Sequence, residues 1–168
     1  MENKLKRNFR SVVILCGGKG TRLGNLGKKI PKTLAKVQQK TILWYIINIL
    51  KIYNFNHFIL PLGYKGNLIK KYLKKNHNFF TEIECVDTGL NSNIGKRIAM
   101  VEKKIRSKNF LLLNGDAIFN LNIQKIFEDH EKNKIGTTFL SSEITYQYGT
   151  VGVAKGKVVD FKRNIIYD

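Results

Sequence analysis

The sequence predicts an α/β fold with a mostly parallel central sheet and helices on both faces. Three observations predict it. Short apolar runs at residues 12–16, 58–63, 81–86 and 110–113 alternate with stretches whose apolar residues recur at helical spacing. Polar clusters rich in glycine, asparagine or aspartate follow several of those runs, as expected where the strands of an open parallel sheet end in loops. The chain has 168 residues, 43% of them apolar, enough for one domain with a sizeable core.

In chain order, residues 1–10 read as a basic, polar leader and residues 11–168 as one domain, since no internal repeat or low-complexity linker interrupts them. Residues 12–16 have the length and β-branched content of a buried strand. The cluster Gly17-Gly18-Lys19-Gly20 lets the backbone turn sharply and approach a ligand closely. Thr21 and Arg22 follow, then Lys28 and Lys29, which read as a solvated face, and Pro31-Lys32.

Residues 36–39 read as a turn, and Thr41 as the N-cap of a buried amphipathic helix over 42–53, with Trp44 and Tyr45 as packing residues. Residues 58–63 form a strand running into a turn. Residues 67–75 form a helix with Leu68, Ile69, Tyr72 and Leu73 inward, and 81–86 an alternating strand. A polar loop, 87–95, leads into a helix over 96–105. The strand 110–113 ends in Asn114-Gly115-Asp116, and 123–130 is helical again. Residues 136–141 read as a fifth strand and 149–161 as two short strands around Lys155-Gly156. Right-handed crossovers between parallel strands would bring the clusters at 17–22, 87–97 and 114–116 to one crevice.

Several function classes are excluded or weakened. No run approaches the roughly 18 apolar residues of a membrane span, and the leader lacks the apolar core and cleavage site of a secretory signal, so the expectation is a cytoplasmic protein without a membrane partner. Cys16 and Cys85 sit in separate apolar runs, as buried strand cysteines rather than a disulfide or zinc site. His57, His77 and His130 stand apart from one another and read as surface or boundary residues. The formal net charge of +18 favours anionic partners, yet the lysines are spread along the chain. A nucleic-acid binder is not favoured, because no such motif is present and the aromatics occupy core-like positions.

A strand feeding a glycine loop with cations behind it suits a polyphosphate. Two common phosphate loops fail. The dinucleotide pattern needs glycine where Leu23 stands, and the segment 89–97 has one residue too many for a Walker loop and lacks the hydroxyl after its lysine. What remains, Gly-Gly-x-Gly-Thr-Arg-Leu with Pro31-Lys32 beyond it, resembles the signature of the sugar-phosphate nucleotidyltransferases, which make nucleotide sugars. Asn114-Gly115-Asp116 is similar to that family's metal motif, and residues 147–151 to its substrate-side strand. The loop 87–90 followed by Gly95-Lys96-Arg97 resembles the branch that transfers cytidylyl groups to glucose 1-phosphate.

The resemblance, over residues 11–161, implies a three-layer Rossmann-like nucleotidyltransferase fold. It implies transfer of a nucleoside monophosphate unit from a nucleoside triphosphate (CTP, GTP or dTTP) to a sugar 1-phosphate or similar small phosphate, with release of pyrophosphate. By the same resemblance Arg22 and Lys32 are the catalytic cations. Leu15, Gly17, Gly18, Gly20, Thr21, Gly95 and Arg97 bind the nucleotide, Asp116 holds Mg²⁺, and Gly149 meets the acceptor. A homo-oligomer is compatible with it.

Compared with that family, the sequence stops early, has Pro31-Lys32-Thr33 for the common Pro-Lys-Pro, and has Ile94-Gly95-Lys96-Arg97 for Thr-Gly-Gly-Arg. The expectation is therefore a C-terminally truncated nucleotidyltransferase domain. The alternative is a catalytically incomplete nucleotide-binding or regulatory module.

Overall fold

The first apolar run becomes β1 (Ser11–Leu15), whose Val12, Val13 and Ile14 are fully buried. The computed structural model describes residues 10–18, 20, 24–76, 81–133, 136–141, 144–145, 149–162 and 166–167. The chain falls into two compact units, Met1–Gln124 and Lys125–Asp168.

In the first unit, β1 is followed by α1 (Gly24–Lys29), a 3₁₀ turn (Lys32–Leu34), and a hairpin of β2 (Lys36–Val37) and β3 (Lys40–Thr41). The stretch expected to be only a turn thus carries two short paired strands, with Gln38 at φ 54° between them. Then come α2 (Ile42–Ile52), β4 (His57–Leu62), α3 (Gly66–Lys75), β5 (Glu82–Asp87), α4 (Ile94–Val101) and β6 (Phe110–Asn114). The cap of α2 is as expected: Trp44 N–H donates to Thr41 Oγ1 at 3.1 Å, a contact worth about 1 kcal/mol.

The four long strands form one sheet in the order β5-β4-β1-β6, every neighbouring pair parallel. The α/β expectation holds. Val13 of β1 and Ile59 of β4 share a pleat and pack against Val101 of α4, with Val86 and Ile105 beside them. Side chains alternate along a strand, so Val12, Ile14, Phe58 and Leu60 face the other way. Right-handed crossovers put α2 and α3 on that second face. The buried side of α2, Leu43, Ile46, Ile47 and Leu50, supplies a row of wholly buried aliphatics. β4 is buried at all six positions, which is why it reads as a continuous apolar run.

His57 is a correction. It is wholly buried at the first position of β4 instead of lying at a boundary. Its Nδ1 lies 3.0 Å from Ser11 Oγ and its Nε2 3.0 Å from Glu84 Oε1. Arg106 N–H donates to the same Ser11 hydroxyl, and its guanidinium pairs with Glu84 and Glu82 at 2.7 and 2.6 Å. The histidine has become the joint between the amino ends of three strands, and isolation in the sequence concealed a neighbourhood built from distant residues.

The helix α5 (Ile123–Asn133) spans the boundary between the units. In the second unit, β7 (Ile144–Thr145) pairs antiparallel with β10 (Ile166–Tyr167), and β8 (Thr150–Ala154) with β9 (Lys157–Lys162). The β8–β9 hairpin turns at Lys155 and Gly156, both at positive φ (49° and 73°), the geometry that matches strand twist in a two-residue loop. The strand expected at 136–141 does not form. Those residues are irregular and all exposed, Phe139 by 87%, and among the described residues no strand pairs with them. No helix among the described residues is long and apolar enough to cross a membrane.

Candidate active site

The sheet order places β1 between β4 and β6, so the chain leaves β1 toward one edge and later returns to its other side as β6. A crevice is expected at the carboxyl ends of those two strands, where the order reverses. A cleft of about 650 Å³ opens there. Leu15 to Gly18 and Gly20 line it from β1, Lys32 and Thr33 from the 3₁₀ turn, residues 90–94 and Arg97 from the approach to α4, and Asn114 to Asp116 from the end of β6.

The strand ends are level: Leu15 is the register partner of Asn114, and Gly115 N–H donates to Leu15 O at 3.1 Å. A Cβ on Gly115 would lie 2.4 Å from Thr33 Cγ2 and 2.9 Å from Leu15 O. Glycine is therefore what allows the 3₁₀ turn to lie against the strand ends. Pro31 starts that turn, its O accepting from Leu34 N–H at 2.9 Å. The result brings together two residues 84 positions apart: Lys32 Nζ is 2.5 Å from Asp116 Oδ2, each side chain about one third exposed. Thr33 Oγ1, beneath them, is buried without a partner among the described residues.

The glycine loop is held from below. Gly17 O accepts from Tyr64 N–H and from Arg97 Nη2, both at 3.3 Å. Arg97 is 5% exposed, and its Nη1 donates to Leu62 O (3.1 Å) and to Thr88 Oγ1 (2.5 Å). The Thr88 hydroxyl in turn donates to Leu62 O at 2.7 Å. Gly20 has φ +63°, a left-handed conformation that glycine adopts without strain. Asn93 caps α4 by accepting from Lys96 N–H at 2.8 Å.

Of the residues expected from the sequence, Leu15, Gly17, Gly18, Gly20, Lys32, Arg97 and Asp116 meet at this cleft. Gly95 lies in the first turn of α4 and is not among the residues lining it. Gly149 is exposed just before β8 in the second unit. Thr21 and Arg22 lie outside the described residues. Sequence reasoning missed Thr88 and Gly63 as supports of the loop. A Cβ on Gly63 would sit 2.7 Å from Arg97 Nη1, and its one signal was a glycine directly after a strand.

Among the described residues, the charged side chains lining the cleft are Lys32, Arg97 and Asp116, two cations and one carboxylate, which suits an anion. Cys16 forms part of its floor. Burial first, then the neighbouring Cys85 and Asp116, push its thiol well above the ordinary range, so it does not serve as a nucleophile. His57, Glu82 and Glu84 offer ligand atoms within 4.8 Å of one another, but they stand at the amino ends of the strands. Arg106 and Lys104 already pair with those carboxylates, so cationic side chains occupy the place a metal ion would take.

The chain matches the nucleotidyl transferase family over residues 11–162. It is 34% identical to the probable glucose-1-phosphate cytidylyltransferase of Bacillus subtilis (strain 168), over 93% of this chain and 69% of that protein. It is 30% identical to the D-glycero-α-D-manno-heptose 1-phosphate guanylyltransferase of Aneurinibacillus thermoaerophilus, over 89% of this chain and 66% of that protein. The solved structure of HddC from Yersinia pseudotuberculosis shares the fold with a TM-score of 0.66 at 25% identity, over 93% of this chain and 70% of that one. The chain spans about two thirds of the length of these two curated relatives. With its glycine loop, its Pro-Lys turn and its aspartate after the neighbouring strand gathered at one crevice, this chain belongs to the nucleotidyl transferase family.

Proposed function

We propose that the cleft binds a nucleoside triphosphate and transfers its nucleoside monophosphate unit to a sugar 1-phosphate, releasing pyrophosphate. The observation that carries this reading is the meeting of Lys32 and Asp116 in the cleft, beside a glycine loop whose exposed Gly18 also lines it. In the reaction, a phosphate oxygen of the acceptor forms a bond to the α-phosphorus while the bond from that phosphorus to the β-bridging oxygen breaks. Such a step asks for positioning and charge neutralisation more than for covalent help from the protein.

Backbone N–H groups of the glycine loop orient the triphosphate. Lys32 neutralises charge gathering at the α-phosphate, and Arg22 offers a forked donor to the departing pyrophosphate. Leu15, Gly95 and Gly149 are assigned on the family motif alone, to nucleotide, nucleotide and acceptor respectively. A divalent metal fits at Asp116. Lys32 pairs with Oδ2 alone, so Oδ1 of this partly exposed carboxylate, two residues past the end of β6, would be the oxygen offered to a hard cation such as Mg²⁺, whose other ligands would be phosphates and water. When bound it would neutralise charge on the leaving phosphates. The base is proposed as cytosine, guanine or thymine. The cytidylyl- and guanylyltransferase relatives support the first two.

The test is pyrophosphate release, measured with each triphosphate against a panel of sugar 1-phosphates. Turnover with one pair, lost in Arg22→Ala and Asp116→Asn proteins, is the expected result. Triphosphate binding by calorimetry with no turnover for any acceptor would replace the reading with a nucleotide-binding module.

A further inference from the structure

We propose that Arg97 is the fixed internal cation of the triphosphate site: a positioning residue whose guanidinium acts on the glycine loop from beneath. This rests on the reading of the cleft as a phosphate site.

The geometry of the guanidinium comes first. Arg97 is 5% exposed, and four donor hydrogens are directed at oxygens of the protein: Leu62 O, Thr88 Oγ1, Gly17 O and, at 3.5 Å, Leu90 O. These acceptors come from three stretches of chain: the end of β4, the loop after β5, and the glycine loop. A planar fork can address them together, whereas an ammonium group could satisfy only part of the set. Donors spent in this way are not offered to a ligand.

The packing shows that room has been made for it. A Cβ on Gly17 would lie 2.2 Å from Arg97 Nη1, and one on Gly63 would lie 2.7 Å from the same atom. Two strand-end glycines thus make the space in which the guanidinium sits. Arg106, by contrast, pairs with carboxylates at the other end of the sheet.

The charge is the third observation. Every acceptor of Arg97 is neutral, and among the described residues no carboxylate pairs with it. Arginine stays protonated, so a full positive charge is held next to the cleft with only oxygen dipoles around it. At low local dielectric such a charge acts over a longer range than one in water.

The effect reaches the ligand through one peptide unit. The described backbone has no cis peptide bond, so the Gly17 C=O and the Gly18 N–H point in opposite directions across one plane. Arg97 and Tyr64 hold that oxygen from below. The Gly18 N–H is thereby turned the other way, at an exposed residue lining the cleft, where among the described residues nothing lies within 4 Å of the place its Cβ would take. A cation on the carbonyl also polarises the peptide and strengthens the N–H as a donor to an anion.

The test uses the full chain and inorganic tripolyphosphate, a probe that needs no base or sugar, titrated by calorimetry into the wild type and the Arg97→Gln and Arg97→Lys proteins. Circular dichroism and thermal melting check that each is folded. Gln keeps two donor hydrogens and removes the charge; Lys keeps the charge and loses the fork. The expected result is a loss of about tenfold or more in tripolyphosphate affinity for Arg97→Gln, with at least half of that loss, on a logarithmic scale, restored in Arg97→Lys. Equal losses in the two folded proteins would mean that Arg97 is only a brace, and an unchanged affinity in Arg97→Gln would mean that it does not act on the anion at all; either result overturns the proposal. The outcome is separable from the catalytic reading. If the wild type binds tripolyphosphate with this pattern but turns over no pair of triphosphate and sugar phosphate, the inference stands and the transferase reading falls.

Discussion

The two ends of the parallel sheet are both polar, and they are built on opposite plans. At the amino end, Ser11, His57, Glu82, Glu84, Lys104 and Arg106 neutralise and hydrogen-bond one another. At the carboxyl end, the described charged residues Lys32, Arg97 and Asp116 leave one positive charge in excess around an open cleft. Charge that is satisfied internally holds strands together; charge left in excess attracts a partner. The contrast explains why the cluster with the best metal-ligand spacing, His57 with Glu82 and Glu84, is not the candidate active site.

The comparison breaks first at Asp116. Asp116→Asn should lower turnover by about 10²-fold or more, read by pyrophosphate release. Its melting point should hardly move, since a partly exposed ion pair contributes about 0–1 kcal/mol. Unaltered turnover would remove Asp116 from the machinery.

His57→Ala should do the reverse. Removing a wholly buried side chain that bridges two polar partners is expected to cost about 2–4 kcal/mol in urea unfolding. Tripolyphosphate affinity of the folded fraction should stay at the wild-type value, and a parallel fall in affinity would show that the two ends are coupled.

Gly17→Ala tests both plans at once, because its Cβ would meet the pinned guanidinium of Arg97 at 2.2 Å. A stability loss of about 1–3 kcal/mol, with weaker tripolyphosphate binding, is the expected pair of readings.

Acid should separate the ends more gently. Burial by itself would raise the Glu84 carboxyl, but the hydrogen bond with His57 and the cations Lys104 and Arg106 outweigh it and hold the group below its ordinary 4.5. A lowered folded value means stabilisation that is fully present above pH 4.5 and is lost as pH falls through the folded value. Melting curves recorded from pH 7 downward should show the wild type losing its advantage over Glu84→Gln in that acidic window. An advantage that grew on acidification would reverse the sign.

The smallest effect belongs to Thr33→Val. Its hydroxyl is buried without a partner among the described residues, so an isosteric apolar side chain should raise stability by up to about 1 kcal/mol. A clear loss in thermal melting would mean that the hydroxyl has a partner in solution.

Much of the fold was legible because it is written locally. The continuous apolar run of β4, the Thr41 cap and the Lys155-Gly156 turn each depend on neighbours in sequence, and each formed. The run at 136–141 also looked local, but a strand needs a second backbone to pair with, and pattern alone does not supply one. In the cleft, Gly17, Lys32 and Asp116 could be named in advance because the motif fixes residue type and spacing. Their supports could not. Nothing near Arg97 in the sequence shows that its guanidinium reaches Gly17, 80 positions away, or that Gly63 leaves the room for it.

By itself, then, the sequence determined the alternation of strands and helices, the glycine loop and the Pro-Lys turn, since backbone propensity and side-chain period act over a few residues. Tertiary structure alone decided which charges are satisfied and which remain in excess. It turned His57 from an isolated residue into the joint of three strands, and placed Arg97, expected as a nucleotide contact, as a buried cation under the glycine loop. The reason is the range of the interactions: a salt bridge or a buried guanidinium is defined by what lies within a few ångströms in space, and the parallel crossovers choose those neighbours from the whole length of the chain.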